Sequence, residues 1–348
     1  MRLVSWNIAW FDSLFDSEGR LRADDGPGGL PGVAARDQIA AIAKVLRHLD
    51  ADGVMVIEAP DTRLDGGTIS RDTRHLLGRF ARAHGLRARR AVRGFLNGTQ
   101  QEIAFLHDAR VLRARHDPQG RRDPTARAPR FDGDYQPDPA RLVPEIGQPG
   151  RIRFSKPPLE LALTTARGMR LRLIGAHVKS KAPHGATSAE DALRRAARNG
   201  RLQLAQALWL RARIDALLRQ NQPLIVMGDL NDGPGHDRVE AALGLSTVEV
   251  VMGADGPASL RLHDPHAEAA RQGRHPAPVS ARFHRPDLSD APDGMFAALL
   301  DYILISPDLA RHRPHWQILD PDMHTDPALA QALRLASDHY PVVLDIDL

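Results

Sequence analysis

The chain has 348 residues, of which 42% are hydrophobic and 26% are charged, with a formal net charge of +4 and no cysteine. These values are typical of a globular protein with a sizeable core, and they exclude disulfides and a thiolate metal site. No apolar run approaches the roughly 18 residues of a membrane span, and no secretory segment follows Met1, so a cytoplasmic protein is the default expectation.

Strands and helices are predicted in mixed order along the chain. Short apolar runs predict strands over 3–8, 54–57, 86–92, 102–107, 110–115, 159–165, 170–177, 224–227, 299–305 and 341–348. Helical spacing of apolar residues predicts helices over 34–49, from Ile69 to Gly85, over 188–220 and over 234–245. Residues 117–150 and 253–298 are rich in Pro, Gly and charged or His residues, and we expect two inserted loops there, the first with some disorder. With no internal repeat or linker, residues 1–348 are expected to form a single domain.

Polar side chains recur where the apolar runs end. They are Asn7, Glu58, His177, Asp229 with Asn231, Asp301, and Asp338 with His339. Each has a structural explanation of its own: Asn7 could cap a turn, Glu58 could be an exposed strand end, and residues 232–234 spell a turn after Asn231. Asp301 differs, because a carboxylate inside the run 299–305 is costly to bury unless it is paired. The repetition of the pattern favours a common site.

This set of residues suits metal-assisted hydrolysis of a phosphoester. Carboxylate and amide oxygens are the ligands that Mg²⁺ or Mn²⁺ prefers, and the chain has neither cysteine nor a helical His pair that would indicate zinc. A histidine oriented by a buried aspartate can act as a general base on water, while a metal polarises the phosphoryl oxygen.

The same residues, in this order, resemble the endonuclease/exonuclease/phosphatase superfamily, which includes deoxyribonucleases, apurinic endonucleases, inositol polyphosphate 5-phosphatases and neutral sphingomyelinases. The matching motifs are WN (6–7), E (58), H (177), GDLND (228–232), LDYILIS (300–306) and SDH (337–339). The resemblance implies a four-layer α/β/β/α sandwich, in which two mixed sheets pack face to face between helices. Ile57 departs from the family, which usually has Gln before the metal-binding Glu.

The resemblance also implies a role for each residue. Glu58 is the expected Mg²⁺ ligand, with Asn7 and Asp338 as further metal-site residues. His339 is the expected general base, oriented by Asp301. Asp229 would orient the nucleophile or bind metal, and Asn231 would contact the scissile phosphate. His177 would contact a phosphate oxygen or the leaving group, with Gln101 or Glu102 supporting it.

Lysine is rare in this chain, which otherwise uses arginine. The only lysines are Lys44, Lys156, Lys179 and Lys181. Two of them lie close together after His177, where an alternating strand would direct both to one face. Lys179 and Lys181 are therefore candidate phosphate contacts, Lys179 the better one.

The leading functional hypothesis is a Mg²⁺- or Mn²⁺-dependent phosphodiesterase or nuclease. Arginine clusters at 87–93, 121–130 and 194–201 could follow a nucleic-acid backbone, although each could equally be a solvated surface. The alternatives are a phosphatase or phosphodiesterase for a small molecule or lipid headgroup, and an inactive phosphate-binding module. No protein partner is evident from the sequence.

Overall fold

The computed structural model describes residues 1–138, 150–233, 245–284 and 293–348. The helix predicted over 234–245 lies outside these residues except at its last position, and parts of both predicted insertions also lie outside them.

Two large sheets and the helices beside them account for most of the described chain. The strands are β1 (Arg2–Asn7), β2 (Gly53–Ala59), β3 (Arg63–Asp65), β4 (Thr68–Arg71), β5 (Arg90–Arg93), β6 (Glu102–His107), β7 (Leu112–His116), β8 (Leu159–Thr165), β9 (Arg170–His177), β10 (Leu224–Asp229), β11 (Ala281–His284), β12 (Met295–Ala298), β13 (Asp301–Ile305), β14 (His315–Ile318) and β15 (Val342–Asp345). The helices are α1 (Ala35–Leu49), α2 (Thr73–Ala83), α3 (Ala189–Leu218), α4 (Thr247–Met252), α5 (Pro265–Arg271) and α6 (Pro327–Ala336).

Both large sheets are mixed. The first has six strands in the order β14-β15-β1-β2-β6-β5, and the second has five in the order β13-β10-β9-β8-β7. In the first sheet β1 is parallel to β2 and antiparallel to β15. In the second, β10 is parallel to β9 and antiparallel to β13. The pairs β3–β4 and β11–β12 form separate hairpins.

The central strands are continuously apolar because both of their faces are covered. Successive side chains point to opposite faces of a strand, so Met55 of β2 and Met227 of β10 meet in the core between the sheets. Val56 packs on the outer side of the first sheet with α1, α2 and α6, and Val226 packs on the outer side of the second sheet with α3 and α4. The layers therefore run helix, sheet, sheet, helix, which confirms the four-layer α/β/β/α sandwich.

Most predicted elements are confirmed within a few residues, but the region around Ile69 is not helical. It forms the β3–β4 hairpin, and α2 begins only at Thr73, after Asp72 caps its first turn by accepting a hydrogen bond from the Arg74 backbone nitrogen. Ile69 is exposed on this hairpin, so this apolar residue is not part of the buried face of a helix. The strand predicted over 86–92 is shorter and later, at Arg90–Arg93.

The two predicted insertions contain more structure than their composition indicates. In the described part of the first, Phe131 and Tyr135 are buried against Trp209 of α3. In the described part of the second, the chain forms α5 and the β11–β12 hairpin. These aromatic residues therefore pack the first insertion against the apolar layer between the second sheet and α3. Of the helices in the described ranges, none combines the length and apolar character that crossing a bilayer requires.

Candidate active site

The pairing register of the second sheet brings three of the predicted site residues side by side. Asp229, at the end of β10, pairs with His177 at the end of β9 on one side and with Asp301 at the start of β13 on the other. Asn7 ends β1 in the facing sheet, and its Nδ2 donates a hydrogen bond of 3.0 Å to Asp229 Oδ2. The polar residues predicted from strand ends therefore meet at one edge of the sandwich.

His339 and Asp301 form a buried pair. The His339 Nδ1–H donates to Asp301 Oδ2 over 2.7 Å, and the Ser280 hydroxyl donates to the same oxygen over 2.9 Å. Phe283 of the β11–β12 hairpin contacts the imidazole edge to face, with ring centroids 5.3 Å apart. Since Nδ1 is committed to Asp301, the Nε2 atom of His339 remains for chemistry.

The backbone of His339 is fixed by residues from both ends of the chain. The Trp6 indole nitrogen donates to the His339 carbonyl over 3.0 Å. The Ser337 hydroxyl donates to the Asn7 carbonyl over 2.8 Å and accepts from the backbone nitrogens of Ala9 and His339. These contacts set the position of the imidazole relative to Asn7.

Two carboxylates make His339 a strong proton acceptor. Burial by itself would lower the pKa of His339, but the charges of Asp301 and Asp229 outweigh it and raise that pKa well above its ordinary value. Asp229 Oδ2 lies 4.0 Å from His339 Nε2, a separation that a water molecule can bridge.

Asp229 is fully buried and accepts hydrogen bonds from two asparagines. Its Oδ1 accepts from the Asn231 backbone nitrogen over 2.7 Å, and its Oδ2 accepts from the Asn231 side chain over 3.1 Å as well as from Asn7. Burial raises the pKa of Asp229 to about 7, although the nearby His339 opposes the shift. The left-handed backbone of Asn231, with φ of 52°, allows its side chain to turn back onto Asp229.

Glu58 lies on an irregularity of β2. The β2–β6 register shifts between Ile57 and Ala59, and Glu58 has a left-handed φ of 59°. The bulge aims the half-buried carboxylate into the site, where Oε2 accepts a hydrogen bond of 2.9 Å from the Trp10 backbone nitrogen. Burial raises the pKa of Glu58, and this hydrogen bond partly counters the shift. Ile57, at the position where the resemblance leads one to expect Gln, is buried between the sheets.

Two groups of donors in the described residues could meet a cation. Asp229, Asp301 and His339 are the one cluster of three acidic or histidine residues whose donor atoms lie within 4.8 Å of one another. Glu58 and Asp338 line the same cleft, and beside them Asn7 Oδ1 is buried with no hydrogen-bond partner among the described residues. An orphaned amide oxygen next to carboxylates fits a hard divalent cation.

Lys156 is a site residue that the sequence analysis missed. Its Nζ donates to Gln101 Oε1 over 2.9 Å and to His177 Nε2 over 3.2 Å. Gln101 therefore reaches His177 through Lys156, whereas Glu102 accepts from Asn97 instead. The scarcity of lysine in this chain was the one signal that could have identified it.

His177 is neutral in this arrangement. Burial lowers the pKa of His177 well below its ordinary value, and the Lys156 ammonium reinforces the shift. Because His177 Nε2 accepts from Lys156, the proton resides on Nδ1, for which no partner exists among the described residues. A neutral imidazole beside an ammonium can contact an anionic ligand without adding charge of its own.

The buried ammonium of Lys156 predicts a pH dependence of stability. Burial lowers the pKa of Lys156 to about 8 from an ordinary 10.5, although Glu58 and Asp229 oppose the shift. Between these values the unfolded chain binds more protons than the folded protein, so raising the pH through this window stabilises the fold. In metal-free buffer, the unfolding free energy of wild type relative to Lys156→Met should rise by roughly 2 kcal/mol from about pH 7.5 to about pH 10. Urea unfolding at both pH values measures this, and a difference that stays constant would refute the shift.

Three further predicted site residues line the cleft in different surroundings: Lys179, Lys181 and Asp338. β9 ends at His177, as predicted, so Lys179 and Lys181 lie in the loop that follows and no strand alternation directs them to one face. Lys181 Nζ is engaged with Asp232 Oδ1 at 2.8 Å. Lys179 lies near Lys156 and His177, whose pKa values its charge lowers. Asp338 is half-buried, and its carbonyl accepts from the Arg282 backbone.

These residues surround a cleft of about 1610 Å³. Its polar floor holds the site, and its walls are largely apolar, with contributions from residues 29–31, the start of α3, residues 273–279 and the β11–β12 hairpin. None of the arginines in the clusters 87–93, 121–130 and 194–201 lines it. Several are instead ion-paired, as Arg87 is with Asp50 and Arg130 with Asp132.

Comparisons with known proteins agree with this architecture. The sequence model described as "Endonuclease/Exonuclease/phosphatase family" matches residues 4–339. A truncated TDP2 of Caenorhabditis elegans is 13% identical, with a TM-score of 0.50 over 100% of this chain and 97% of that one. An endonuclease/exonuclease/phosphatase family protein of Bacteroides thetaiotaomicron is also 13% identical, with a TM-score of 0.50 over 99% of this chain and 93% of that one. At this identity the structural likeness shows the fold alone. A comparison with curated protein sequences finds no match.

Proposed function

The chain belongs to the endonuclease/exonuclease/phosphatase family, and we propose that it is a divalent-metal-dependent hydrolase of phosphodiesters, nucleic acid among its possible substrates. Members of the family are phosphoester hydrolases. The observation that carries the proposal is the buried Asp301–His339 pair, whose free Nε2 faces Asp229 across 4.0 Å. This is the geometry of a histidine base that acts on a water beside a carboxylate.

In the proposed mechanism His339 activates the attacking water. Nε2 accepts a proton from the water, and Asp301 holds the imidazole in the required tautomer and stabilises its charge. Asp229 accepts the water's other hydrogen bond and thereby orients it. Burial of all three groups excludes bulk water and strengthens their interactions.

We assign the metal to Glu58, with Asn7 and Asp338 as further oxygen donors. The unpartnered Asn7 Oδ1 supports this assignment, and an all-oxygen set favours Mg²⁺ or Mn²⁺. When bound, the cation supplies Lewis-acid polarisation of the phosphoryl oxygen. The Trp10 backbone hydrogen bond orients the Glu58 carboxylate for this role.

The phosphate is expected to lie against the remaining polar groups. We assign its contacts to Asn231, to the neutral His177, and to the ammonium groups of Lys156 and Lys179. Lys181 is a weaker candidate than the sequence indicates, since it is engaged with Asp232. A lysine serves here as a compact point charge rather than a bidentate fork.

A small-molecule or lipid-headgroup phosphoester is the second candidate substrate. The position of the arginine clusters favours it, because they lie outside the cleft and several are neutralised by aspartates. An inactive binding module is disfavoured, since Glu58, Asp229, Asn231, Asp301 and His339 are all present at the cleft floor or directly behind it.

The metal assignment predicts that Glu58→Gln will weaken Mn²⁺ binding at least about 100-fold, because even outer-sphere partners of a metal contribute 10- to 100-fold. Calorimetric titration with Mn²⁺ measures the affinity, and thermal unfolding checks that the fold is retained. Glu190→Gln is the matched control, since its side chain is 84% exposed. Unchanged Mn²⁺ affinity in Glu58→Gln would refute the ligand role.

A substrate panel tests the reaction itself. Purified protein with Mg²⁺, Mn²⁺ or EDTA is offered supercoiled plasmid, single-stranded DNA, RNA, bis-p-nitrophenyl phosphate and p-nitrophenyl phosphate. EDTA-sensitive cleavage of nucleic acid and of the diester supports the phosphodiesterase. Turnover of small esters with nucleic acid intact would favour the second candidate, and no turnover with no bound metal would contradict both.

A further inference from the structure

Trp10 differs from the other tryptophans of this chain. Trp6 and Trp209 are fully buried, and the indole nitrogens of Trp6, Trp209 and Trp316 donate to backbone carbonyls. The Trp10 side chain is 50% exposed, and its indole nitrogen has no partner in the part of the chain that the structure describes. Trp10 also lines the cleft that holds the site, so its exposed indole face is accessible to a ligand bound there.

The backbone of Trp10 is held in a conformation that a bulky residue rarely adopts. Its φ of 50° and ψ of 45° lie in the left-handed region. The Trp10 backbone nitrogen donates to Glu58, and its carbonyl accepts from the backbone and the hydroxyl of Ser13. This hydrogen bonding keeps the strained conformation in place.

The loop before α1 approaches Trp10 closely. A Cβ atom on Gly29 would lie 2.9 Å from Trp10 Cβ and 2.3 Å from the Ala9 carbonyl oxygen, so only glycine fits there. The next two residues, Leu30 and Pro31, line the cleft beside Trp10. Trp10, Leu30 and Pro31 thus form an apolar surface next to Glu58, to which the Trp10 backbone nitrogen is hydrogen-bonded.

We propose that Trp10, with Leu30 and Pro31, is a subsite that stacks on a planar aromatic group attached to the phosphoester, a proposal that rests on the hydrolase function given above. An indole presents a rigid aromatic face on which any flat ring can stack. Such stacking does not distinguish one nucleobase from another, because it does not use their hydrogen-bonding groups. The free indole N–H adds one donor at the edge of that surface. The ring can be a nucleobase or a simple aryl group, and both place an aromatic face close to a charged phosphate.

The surroundings favour a ring over the alternatives. A polyanionic duplex requires a long run of phosphate contacts, but the ammonium and guanidinium groups that line the cleft in the described residues are only those of Lys156, Lys179, Lys181 and Arg274, and Lys181 is engaged with Asp232. An uncharged polar group, such as a sugar, would gain little from Leu30 and Pro31. A flat ring matches both the indole and the apolar wall.

The test compares ligands with and without a ring. AMP, phenyl phosphate, ribose 5-phosphate and inorganic phosphate are titrated calorimetrically with Mg²⁺ into the full chain carrying His339→Ala, with chromatography to verify that no ligand is consumed. The same titrations are repeated with Trp10→Leu and Trp10→Phe added. Leu64→Ala is the matched control, because Leu64 is an exposed apolar residue on the β3–β4 hairpin, outside the cleft.

Trp10→Leu is expected to raise the Kd of the ring-bearing ligands about tenfold and that of the other two by less than about twofold. Trp10→Phe should retain most of the affinity, and Leu64→Ala should change nothing. A loss confined to AMP identifies a nucleobase as the occupant, and a loss confined to phenyl phosphate identifies an aryl group. An equal loss for all four ligands, or no loss for either ring, would overturn the subsite.

Failure of the two proposals can be told apart. If the parent protein binds all four ligands with the same affinity, the subsite is overturned and the hydrolase proposal stands. If it binds none of them, the subsite is overturned, and the hydrolase proposal is decided separately by turnover of the diester in the substrate panel.

Discussion

Replacing His339 with alanine should lower kcat on bis-p-nitrophenyl phosphate by about 10³- to 10⁴-fold, at the upper end of what general acid–base catalysis contributes. The expectation follows from geometry, because Nε2 of this imidazole is the free basic atom that faces Asp229. Steady-state kinetics with Mg²⁺ measures the loss. KM should change little, since the phosphate contacts are assigned to other residues.

Two further variants make this prediction specific. Asp301→Asn should retain the fold but lower kcat, because an amide cannot stabilise the imidazolium and can favour the wrong tautomer. His75→Ala, at an exposed position of α2, is the control for loss of a histidine and should leave kcat unchanged. Activity of His339→Ala within about tenfold of wild type would remove His339 from the proposed mechanism.

Gly228→Ala should destabilise the protein by about 3 kcal/mol or more, through backbone strain and overpacking together. Gly228 has a φ of 140°, which L-residues rarely adopt, and a Cβ atom there would lie 2.0 Å from the Ala176 carbonyl oxygen of β9. The clash cannot relax by side-chain motion, because the obstructing atoms belong to the backbone of a central strand.

Urea unfolding in metal-free buffer measures this change. Gly98→Ala is the matched control, because a Cβ atom on Gly98 meets nothing within 4 Å and its φ is not positive. The Gly228 variant should also lose activity beyond its loss of stability, since the next residue is Asp229. A destabilisation below about 1 kcal/mol would contradict the assigned strain.

The sequence predicts the central strands and the long helices well because both are governed by local patterns. Residues 224–227 are apolar without interruption since both faces of β10 are covered, and α1 has its apolar residues at helical spacing. The strand ends predict where Asp229 and His177 lie. Their mutual register, however, follows from pairing between strands, which no local pattern encodes.

The features that the sequence did not predict depend on tertiary structure. Lys156 lies in a loop before two prolines, so no periodicity marks it, and only the fold brings its ammonium to His177. The exposed hairpin at Ile69 depends on tertiary contacts that override propensity. The sequence shows where the arginine clusters lie, but their pairing with aspartates is visible only in three dimensions.

The first and last strands of the described residues are neighbours in one sheet, so the site can form only late in synthesis. β1 pairs with β15, and the hydrogen bonds from Trp6 to His339 and from Ser337 to Asn7 connect residues more than 300 positions apart. Contacts of such high sequence separation form slowly, because chain entropy is lost before they contribute. During synthesis, strands and helices of the middle of the chain can form while β15 is still untranslated. The proposed base and metal ligands come together only afterwards, so a nascent chain is expected to be inert until β15 has been synthesised.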